Sequence, residues 1–336
     1  MIWKGREMLE QQTTIGSITL KNRFAMAPVD LEKSDRGTVS DEQLVYYDER
    51  TKGGNVGLVI VEHTFVLPEG RAAENQTSSA DDGDVESLAR IADLIHEHGS
   101  PCVVQLSHAG LRAPDLGDGL EGISPSGMVG MMEKSGLRQM RALATVEIDA
   151  LINAFANAAV RAKKAGFDGV ELHSAHGYLL NQFYSPLTNL RTDEYGSRTV
   201  EDRVRLHCQI IDAVREELGA DSLVGIRFGA CDYMDGGSTI EDGVVAAMIF
   251  EQHGVDFIDV SGGLCGSRPA NMKGAGFFGD AASAIKKSVS MPVVLAGGVK
   301  TREDAERLLN DGVADIIAVA RAIIADPSWG EKALSK

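Results

Sequence analysis

The stretch Ala165-Gly-Phe-Asp-Gly-Val-Glu-Leu-His-Ser-Ala-His176 decides the fold of this chain. Gly166 suits the left-handed backbone that ends many helices, and the apolar run that begins at Gly169 has the character of a buried strand. The same junction recurs at His253-Gly-Val-Asp256 and at Asp311-Gly-Val-Ala-Asp315. A repeated passage from helix to strand predicts an α/β fold.

Eight short apolar runs lie along the chain, and most of them lack the alternation of a half-exposed strand. Continuous runs of this kind are typical of parallel strands covered on both faces. Helical periodicity fills the segments between them, as over 146–165. We predict a (β/α)8 TIM barrel rather than a doubly wound sheet, because no Gly-x-Gly-x-x-Gly follows the first run. The runs are 23–29, 57–64, 101–108, 169–176, 223–230, 257–263, 292–299 and 315–321.

Two segments depart from the minimal barrel pattern. Residues 14–20 have the character of a small β-hairpin that caps the N-terminal end of the barrel. The interval 109–145 follows the third strand, is rich in Gly, Pro and Met, and lacks periodicity. Loops of that length in a compact domain are usually functional, so we expect a lid over the site. No linker or low-complexity segment divides residues 1–336, which we expect to form a single domain.

Composition excludes several classes of partner. The chain has 336 residues, with 33 Lys plus Arg against 49 Asp plus Glu, and a formal net charge of −16. This balance argues against nucleic acid and anionic membranes as partners. The sequence lacks the apolar stretch of a signal peptide and any run long enough to span a bilayer, so we expect a cytoplasmic protein. The four cysteines are far apart without a C-x-x-C pair, and we predict no metal site.

Polar side chains cluster where the fourth predicted strand ends. His173, His176 and Tyr178 lie within six residues of one another. Such donors can hold a polar atom of a substrate and supply it with a proton. A structural role is the usual alternative for a single histidine at a strand end, but it explains the whole group poorly. Metal binding is poorly supported as well, because no third ligand completes a set.

The ends of the last two strands indicate a phosphate site. Gly297 and Gly298 follow strand seven, and Ala320 and Arg321 follow strand eight. Phosphate sites of TIM barrels typically form in these two loops, where glycine lets backbone N–H groups approach the oxygens and an arginine adds a charged donor. The alternative is a tight turn with a surface arginine. We favour phosphate because both elements stand in the expected loops.

The chain closely resembles the Old Yellow Enzyme family of FMN-dependent ene-reductases, in its shorter, single-domain bacterial type. The resemblance runs from about residue 10 to the end of the chain. It is carried by LKNRFAMAP at 20–28, VVQLSHAG at 103–110, AGFDGVELHSAHGYLLNQFYSPLTNLRTDEYG at 165–196, VEDRVR at 200–205, GIRFG at 225–229 and the glycine pair at 297–298. It implies one FMN-binding TIM-barrel domain with non-covalent FMN and with NAD(P)H as reductant.

The resemblance also implies roles for individual residues. Pro28 and Val29 would lie along the flavin, Gln105 would bind its pyrimidine edge, and Arg227 would stabilise the charge near N1 and O2 of reduced flavin. A buried structural ion pair is the weaker alternative for Arg227. The implied cofactor-binding set is completed by Asp30, His63, Gly262, Gly263, Gly297, Gly298, Ala320 and Arg321.

Asp30 and His63 depart from the family pattern. Asp30 stands where relatives commonly carry Cys or Thr beside the flavin, and His63 stands where they usually carry a small residue. Because an ionised carboxylate disfavours reduced flavin, Asp30 is expected to be protonated, turned away, or lowering the redox potential. Both residues therefore bear on substrate preference.

The resemblance implies catalysis on an electrophilic alkene. His173 and His176 would donate to the carbonyl or nitro oxygen of the substrate, flavin N5 would deliver hydride, and Tyr178 would protonate the α-carbon. The alternatives are a flavin-dependent amine or saturated-substrate dehydrogenase, a flavin-free aldolase or isomerase, and a flavin-binding redox sensor. Barrels of this family often associate, so a homo-oligomer is an open expectation.

Overall fold

The structure, a computed structural model, describes residues 7–127 and 140–334. Eight parallel strands close into a barrel in the order β10-β11-β12-β3-β4-β5-β8-β9, which confirms the predicted TIM barrel. Each of the eight predicted runs corresponds to one barrel strand; two strands end one residue beyond their runs, at Phe65 and Cys231, and most of the others are shorter than predicted. The strands are β3 (Phe24–Met26), β4 (Leu58–Phe65), β5 (Cys102–Ser107), β8 (Gly169–Ser174), β9 (Leu223–Cys231), β10 (Phe257–Gly262), β11 (Val293–Ala296) and β12 (Ile316–Val319).

Helices surround the barrel, and their start signals agree with the sequence. Thr301 caps the helix Arg302–Asn310 and forms a capping box with Asp304, a combination that the sequence itself shows as Thr followed three residues later by Asp. The predicted helix over 146–165 is observed as Ile148–Lys164, preceded by a short 3-10 turn. The described helices are α1 (Asp41–Thr51), α2 (Asp84–Glu97), α3 (Ile148–Lys164), α4 (Leu179–Tyr184), α5 (Val200–Leu218), α6 (Ile240–Gln252), α7 (Gly279–Lys286), α8 (Arg302–Asn310), α9 (Arg321–Ala325) and α10 (Trp329–Leu334). None of these helices is long and apolar enough to cross a membrane.

The predicted hairpin caps the barrel. Strands β1 (Thr13–Ile15) and β2 (Ile18–Leu20) pair antiparallel. Ile15 and Leu20 are fully buried in one apolar cluster with Ile60 and Phe257 of the barrel lumen. The hairpin therefore fills the N-terminal end of the lumen, which leaves the opposite end as the open mouth.

The segment after β5 carries structure of its own. A 3-10 turn at Gly110–Arg112 is followed by β6 (Gly122–Ser124) and β7 (Met140–Ala142), which pair parallel. Arg191 holds this segment by donating to the carbonyl oxygens of Pro125, 3.1 Å away, and Leu143. The middle of the predicted lid, 128–139, lies outside the described residues.

Candidate active site

A cavity of about 670 Å³ opens at the C-terminal ends of the barrel strands. This is the end at which TIM-barrel active sites form, and the volume falls within the range of about 300–1,000 Å³ typical of ligand sites. Thirteen of the fifteen predicted site residues line it. They are Pro28, Val29, Asp30, His63, Gln105, His173, His176, Tyr178, Arg227, Gly297, Gly298, Ala320 and Arg321.

The two histidines and the tyrosine form one contact cluster in this cavity. The ring centroids of His173 and Tyr178 are 4.4 Å apart, and those of His173 and His176 are 5.2 Å apart. His176 has a positive φ of 59°, and its Nε2 lies 2.7 Å from Ser261 Oγ. That backbone conformation is strained for a residue with a side chain and is often found at functional sites. The strand end therefore orients all three side chains toward the cavity.

The cluster is uncharged at neutral pH. Burial lowers the pKa of His173 and of His176 well below the usual value, and the charges of Arg227 and Arg112 lower both further. Each imidazole is therefore neutral and has one N–H to donate. Burial raises the pKa of Tyr178, and the charge of Asp30 raises it further, so the phenol keeps its proton. The site thus presents neutral hydrogen-bond donors.

Arg227 lies at the cavity floor beside two buried carboxylates. Its Nε is 3.4 Å from Asp259 Oδ2, but the two groups are not aligned for a hydrogen bond. Burial raises the pKa of Asp259 and of Glu171, and Glu171 Oε2 accepts from Gln105 Nε2 at 2.5 Å. The buried ion pair expected as the weaker alternative for Arg227 is therefore present in part. The same arginine also lines the cavity.

Asp30 and His63 pair with each other on the cavity wall. His63 Nε2 is 3.2 Å from Asp30 Oδ2, and Gln76 Nε2 is 2.6 Å from His63 Nδ1. Gln76 Oε1 accepts from the Ala72 backbone, so its Nε2 is a donor, and His63 carries its proton on Nε2 toward Asp30. Burial acts to raise the pKa of Asp30, but His63 and the Glu32 backbone together bring it below its usual value. Asp30 is therefore ionised and directed to His63, which excludes the protonated alternative.

The register of β4 explains why His63 faces the cavity. The pairing of β4 with β5 shifts between Val61 and Thr64, which inserts a bulge. A bulge re-aims side chains locally. Glu62 consequently bonds Gln43 Nε2 of α1 and the Leu31 backbone, while His63 lines the cavity.

The predicted phosphate loops also meet at the cavity. Gly297, Gly298, Ala320 and Arg321 are all wall residues. Gly297 and Gly298 have φ values of 138° and 71°, which favour glycine, and the Gly297 carbonyl accepts from Gly276 N at 2.7 Å. The strand-seven loop is thus packed closely against the segment around Gly276.

We expect Gly298→Ala to weaken FMN binding at least tenfold. A Cβ at this position would lie 2.0 Å from the Gly274 carbonyl oxygen and 2.9 Å from Phe277, so the surrounding loops must move. The measurement is fluorescence titration of the apoprotein with FMN. Gly312→Ala is the matched control, because Gly312 has a similar φ of 69° but no atom within 4 Å of its added Cβ. Equal affinities of the two variants would contradict a role for the loop in binding.

Two predicted cofactor residues fall outside the cavity wall. Gly262 packs near Gly266 and Cys265, and Gly263 packs near Asp232. The chain bulges at this point, where the register of β10 with β9 shifts between Ser261 and Gly262. The wall is built instead by Ser261 and by the next loop, which includes Cys265, Gly266, Ser267 and Arg268.

Several site residues are absent from the sequence prediction. Arg112 lines the cavity from the segment after β5, although that segment shows no periodicity that would place it. Asp259 and Glu171 alternate with apolar neighbours on their strands, a signal for lumen-facing positions. After the fifth and sixth barrel strands, Cys265 lines the cavity wall, whereas Cys231 and Tyr233 do not.

The tract after α4 is held by ion pairs and backbone hydrogen bonds outside the cavity. Arg191 pairs with Asp193 at 2.5 Å, and Arg203 pairs with Asp242 of α6 at 2.9 Å. The Glu194 carbonyl accepts from Arg205 at 2.8 Å. None of these residues lines the cavity, so this part of the sequence that resembles the family stabilises the loop that leads into α5.

One group at the opposite end of the barrel has the spacing of metal ligands. His96 Nε2 lies 2.8 Å from Asp168 Oδ2 and 3.7 Å from Cys102 Sγ, and no other described residues form such a group. Asp168 Oδ2 also accepts the Cys102 backbone N–H at 2.7 Å, and burial raises the pKa of the Cys102 thiol. A metal-binding cysteine needs the opposite shift, so we assign this group as a hydrogen-bonded cluster that joins α2 to the N-terminal ends of β5 and β8.

Sequence relatives cover nearly the whole chain. It is 38% identical over 327 residues to an NADH oxidase of Thermoanaerobacter brockii, covering 95% of this chain and 49% of that protein. It is also 38% identical over 325 residues to an NADPH dehydrogenase of a Geobacillus species (strain WCH70), covering 96% of this chain and 92% of that protein. The chain thus spans about half the length of the NADH oxidase and nearly all of the NADPH dehydrogenase.

Solved structures share the fold and part of the sequence. A 2-naphthoyl-CoA reductase bound to 2-naphthoyl-CoA has a TM-score of 0.90 and 27% identity, covering 97% of this chain and 52% of its own. An Old Yellow Enzyme homologue from Zymomonas mobilis has a TM-score of 0.83 and 29% identity, covering 98% and 94%. A morphinone reductase in complex with tetrahydroNAD has a TM-score of 0.81 and 28% identity, covering 97% and 90%.

Residues 11–336 match the NADH:flavin oxidoreductase / NADH oxidase family, and the chain belongs to that family. It is an FMN-dependent NAD(P)H oxidoreductase of the Old Yellow Enzyme type, which confirms the resemblance and sets aside the flavin-free barrel.

The residues of the cavity fit FMN. Three buried polar atoms of the cavity floor have no hydrogen-bond partner among the described residues, namely Arg227 Nε, His173 Nδ1 and Glu171 Oε1. The floor therefore has polar atoms that can still form hydrogen bonds to a ligand. Arg321 and Arg268 supply positive charge to the wall, while Ala296, Val299 and Phe278 supply apolar surface. A cavity with cations and an apolar wall suits a flat ring system that carries a phosphate.

Proposed function

We propose that this protein reduces activated C=C bonds, in α,β-unsaturated carbonyl compounds or nitroalkenes, with NAD(P)H as the electron source. The proposal rests on one observation: two neutral histidines and a protonated tyrosine meet in a single cavity wall, 4.4–5.2 Å between ring centroids. When bound, FMN supplies the hydride chemistry, taking hydride from NAD(P)H and passing it to the alkene in a ping-pong sequence.

His173 and His176 would bind the oxygen of the electron-withdrawing group. Because burial keeps both imidazoles neutral, each offers a donor without carrying a charge that must be neutralised in the ground state. The oxygen gains negative charge as hydride reaches the β-carbon, so both hydrogen bonds strengthen in the transition state. Donors placed in this way contribute about 3–4 kcal/mol each.

Tyr178 would give its proton to the α-carbon. Its ring packs between His173 and His63, with the His63 ring centroid 5.3 Å away. Its phenol is protonated because burial and the Asp30 charge hold its pKa above the usual value. The tyrosine therefore has a proton available throughout the physiological pH range.

A second candidate function rests on the ionised Asp30. A carboxylate in the cavity wall, with Glu32 beside it, would attract a cationic substrate such as an amine. The protein would then oxidise an amine or another saturated substrate on the same barrel. The two functions differ in the direction of electron flow through the site.

The visible spectrum of the purified holoprotein distinguishes the two functions. Under anaerobic conditions NADH or NADPH is added first and 2-cyclohexen-1-one second. We expect flavin bands that bleach with the nicotinamide and return with the enone. Bands that bleach with a secondary amine, and that stay bleached with enone and with nitroalkene, would support the second candidate and contradict the first.

A further inference from the structure

A polar layer crosses the barrel lumen beneath the cavity. It consists of Gln105, Glu171, Arg227 and Asp259, here called the lumen layer, from four consecutive strands of the barrel. The register pairs Gln105 with Glu171 and Arg227 with Asp259. Gln105 donates to Glu171 at 2.5 Å, and Arg227 lies 3.4 Å from Asp259. Adjacent strands thus place one guanidinium between two carboxylates.

The lumen layer holds an unbalanced set of charges. Glu171 and Asp259 are fully buried, and Arg227 is the one cation of the layer. The facing strands contribute small or apolar side chains to the lumen, namely Ala25, Ala27, Ile60, Val294 and Ala318. His173 and His176 above the layer are neutral. With both carboxylates ionised the layer would therefore carry a net charge of −1.

A buried net charge is costly, and one proton removes it. The free energy of transfer of an unpaired ion into a protein interior amounts to several kcal/mol, so such groups take up a proton instead. Burial raises the pKa of both carboxyls, and the charge of Asp259 raises that of Glu171 further, while Arg227 opposes both shifts. Below the raised pKa of Glu171 the layer is neutral, with Asp259 paired with Arg227 and one proton on Glu171. Above that pKa Glu171 is ionised and the layer carries the net charge of −1.

We propose that the Glu171–Asp259 pair binds a proton when the flavin beside Arg227 is reduced, so that FMN reduction is coupled to protonation of the lumen layer. NAD(P)H supplies two electrons and one proton as hydride, which leaves one negative charge on reduced FMN. This charge competes for Arg227, and a proton from solvent converts a carboxylate of the pair to a carboxylic acid. The coupling concerns the flavin alone and does not depend on which substrate reoxidises it.

The pH dependence of the flavin midpoint potential tests this coupling. A two-electron couple shifts by about 30 mV for each tenfold change in proton concentration per proton bound, and by about 59 mV when two protons are bound. For wild type we expect about 30 mV per pH unit at acidic pH and a steeper window at neutral to alkaline pH. A single slope of about 30 mV per pH unit from about pH 6 to about pH 9.5 would overturn the proposal.

Isosteric variants assign the extra proton to the pair. Glu171→Gln and Asp259→Asn preserve shape, and each should abolish the steeper window. Glu306→Gln is the control, because Glu306 is also a buried carboxylate but bonds the backbone of Met8 and Leu9 outside the lumen. A steep window that persists in both lumen variants would contradict the assignment.

Two direct readouts keep the test decisive if a variant fails to bind FMN. A pH indicator counts the protons that wild type takes up from solvent during anaerobic reduction by NADH. Hydride transfer alone takes up none, and we expect an uptake approaching one proton per flavin within the steep window. Infrared difference spectra of the same reduction should show a carboxylic acid C=O band that appears on reduction. A wild type that shows neither signal would exclude the coupling without reference to any variant.

Discussion

Tyr178→Phe should slow the reoxidation of reduced flavin by an enone by about 10²–10⁴-fold, while leaving the reduction of flavin by NADH nearly unchanged. Phenylalanine keeps the ring that packs 4.4 Å from His173, so the cavity retains its shape. It removes only the hydroxyl that would protonate the α-carbon. Anaerobic stopped-flow measurement of the two half-reactions, with 2-cyclohexen-1-one as oxidant, separates the two effects.

Tyr195→Phe is the matched control. Tyr195 is buried and its hydroxyl bonds Gln209 at 3.0 Å, but it lies outside the cavity wall. Both half-reactions should proceed in this variant at wild-type rates. If Tyr178→Phe were reoxidised by the enone as fast as the control, another group would have to supply the proton, and the proposed role of Tyr178 would be wrong.

The pH dependence of the same step follows from the raised pKa of Tyr178. Because burial and then the charge of Asp30 raise this pKa above its usual value, the phenol remains protonated through about pH 10. If the rate of enone reduction falls at a lower alkaline pH, the cause is therefore not ionisation of Tyr178.

Arg227→Met should lower the free energy of unfolding by about 3–5 kcal/mol at mildly alkaline pH, because it leaves two buried carboxylates without their cation. Glu171 and Asp259 already have pKa values raised by burial, and loss of Arg227 raises them further. A carboxyl whose pKa is higher in the folded state binds more protons when folded, so its contribution to stability increases as pH falls. Urea unfolding at about pH 8.5 and about pH 6 should show a deficit that shrinks at the lower pH.

Arg90→Met controls for the loss of an arginine as such. Arg90 pairs with Asp41 at 2.6 Å on the surface, where both side chains are exposed. Such pairs contribute about 0–1 kcal/mol, and the control should show no comparable pH dependence. A deficit in Arg227→Met that is equally small, or independent of pH, would mean that Arg227 does not neutralise the lumen carboxylates.

Much of the site could be predicted because residue order along a barrel determines position. The carboxyl ends of parallel strands meet at one rim, so residues that end different strands, such as Tyr178, Arg321 and Pro28, share one cavity. The helix-to-strand junctions at Gly166, Gly254 and Gly312 likewise identify the repeat, and all three glycines have positive φ. The pattern of helices and strands therefore sufficed for the barrel, and together with the family resemblance it selected thirteen residues that line one cavity.

The two predicted residues that lie outside the cavity wall depend on strand register, because the register shifts between Ser261 and Gly262, just before Gly263. A bulge after Val61 likewise decides that Glu62 faces α1 and that His63 faces the cavity. Because side chains alternate between the two faces of a strand, one extra residue at a bulge reverses the face to which each later side chain of that strand points. No local pattern in the sequence predicts such a shift in register.

The sequence by itself determined the barrel, its hairpin cap, the flavin site at the strand ends and the three residues proposed for catalysis. Only the tertiary structure decided the charge states. It paired Asp30 with His63, made His173 and His176 neutral, and enclosed Glu171, Asp259 and Arg227 in one layer. The physical reason is that a pKa depends on burial and on charges from distant parts of the chain, which come together only when the barrel closes.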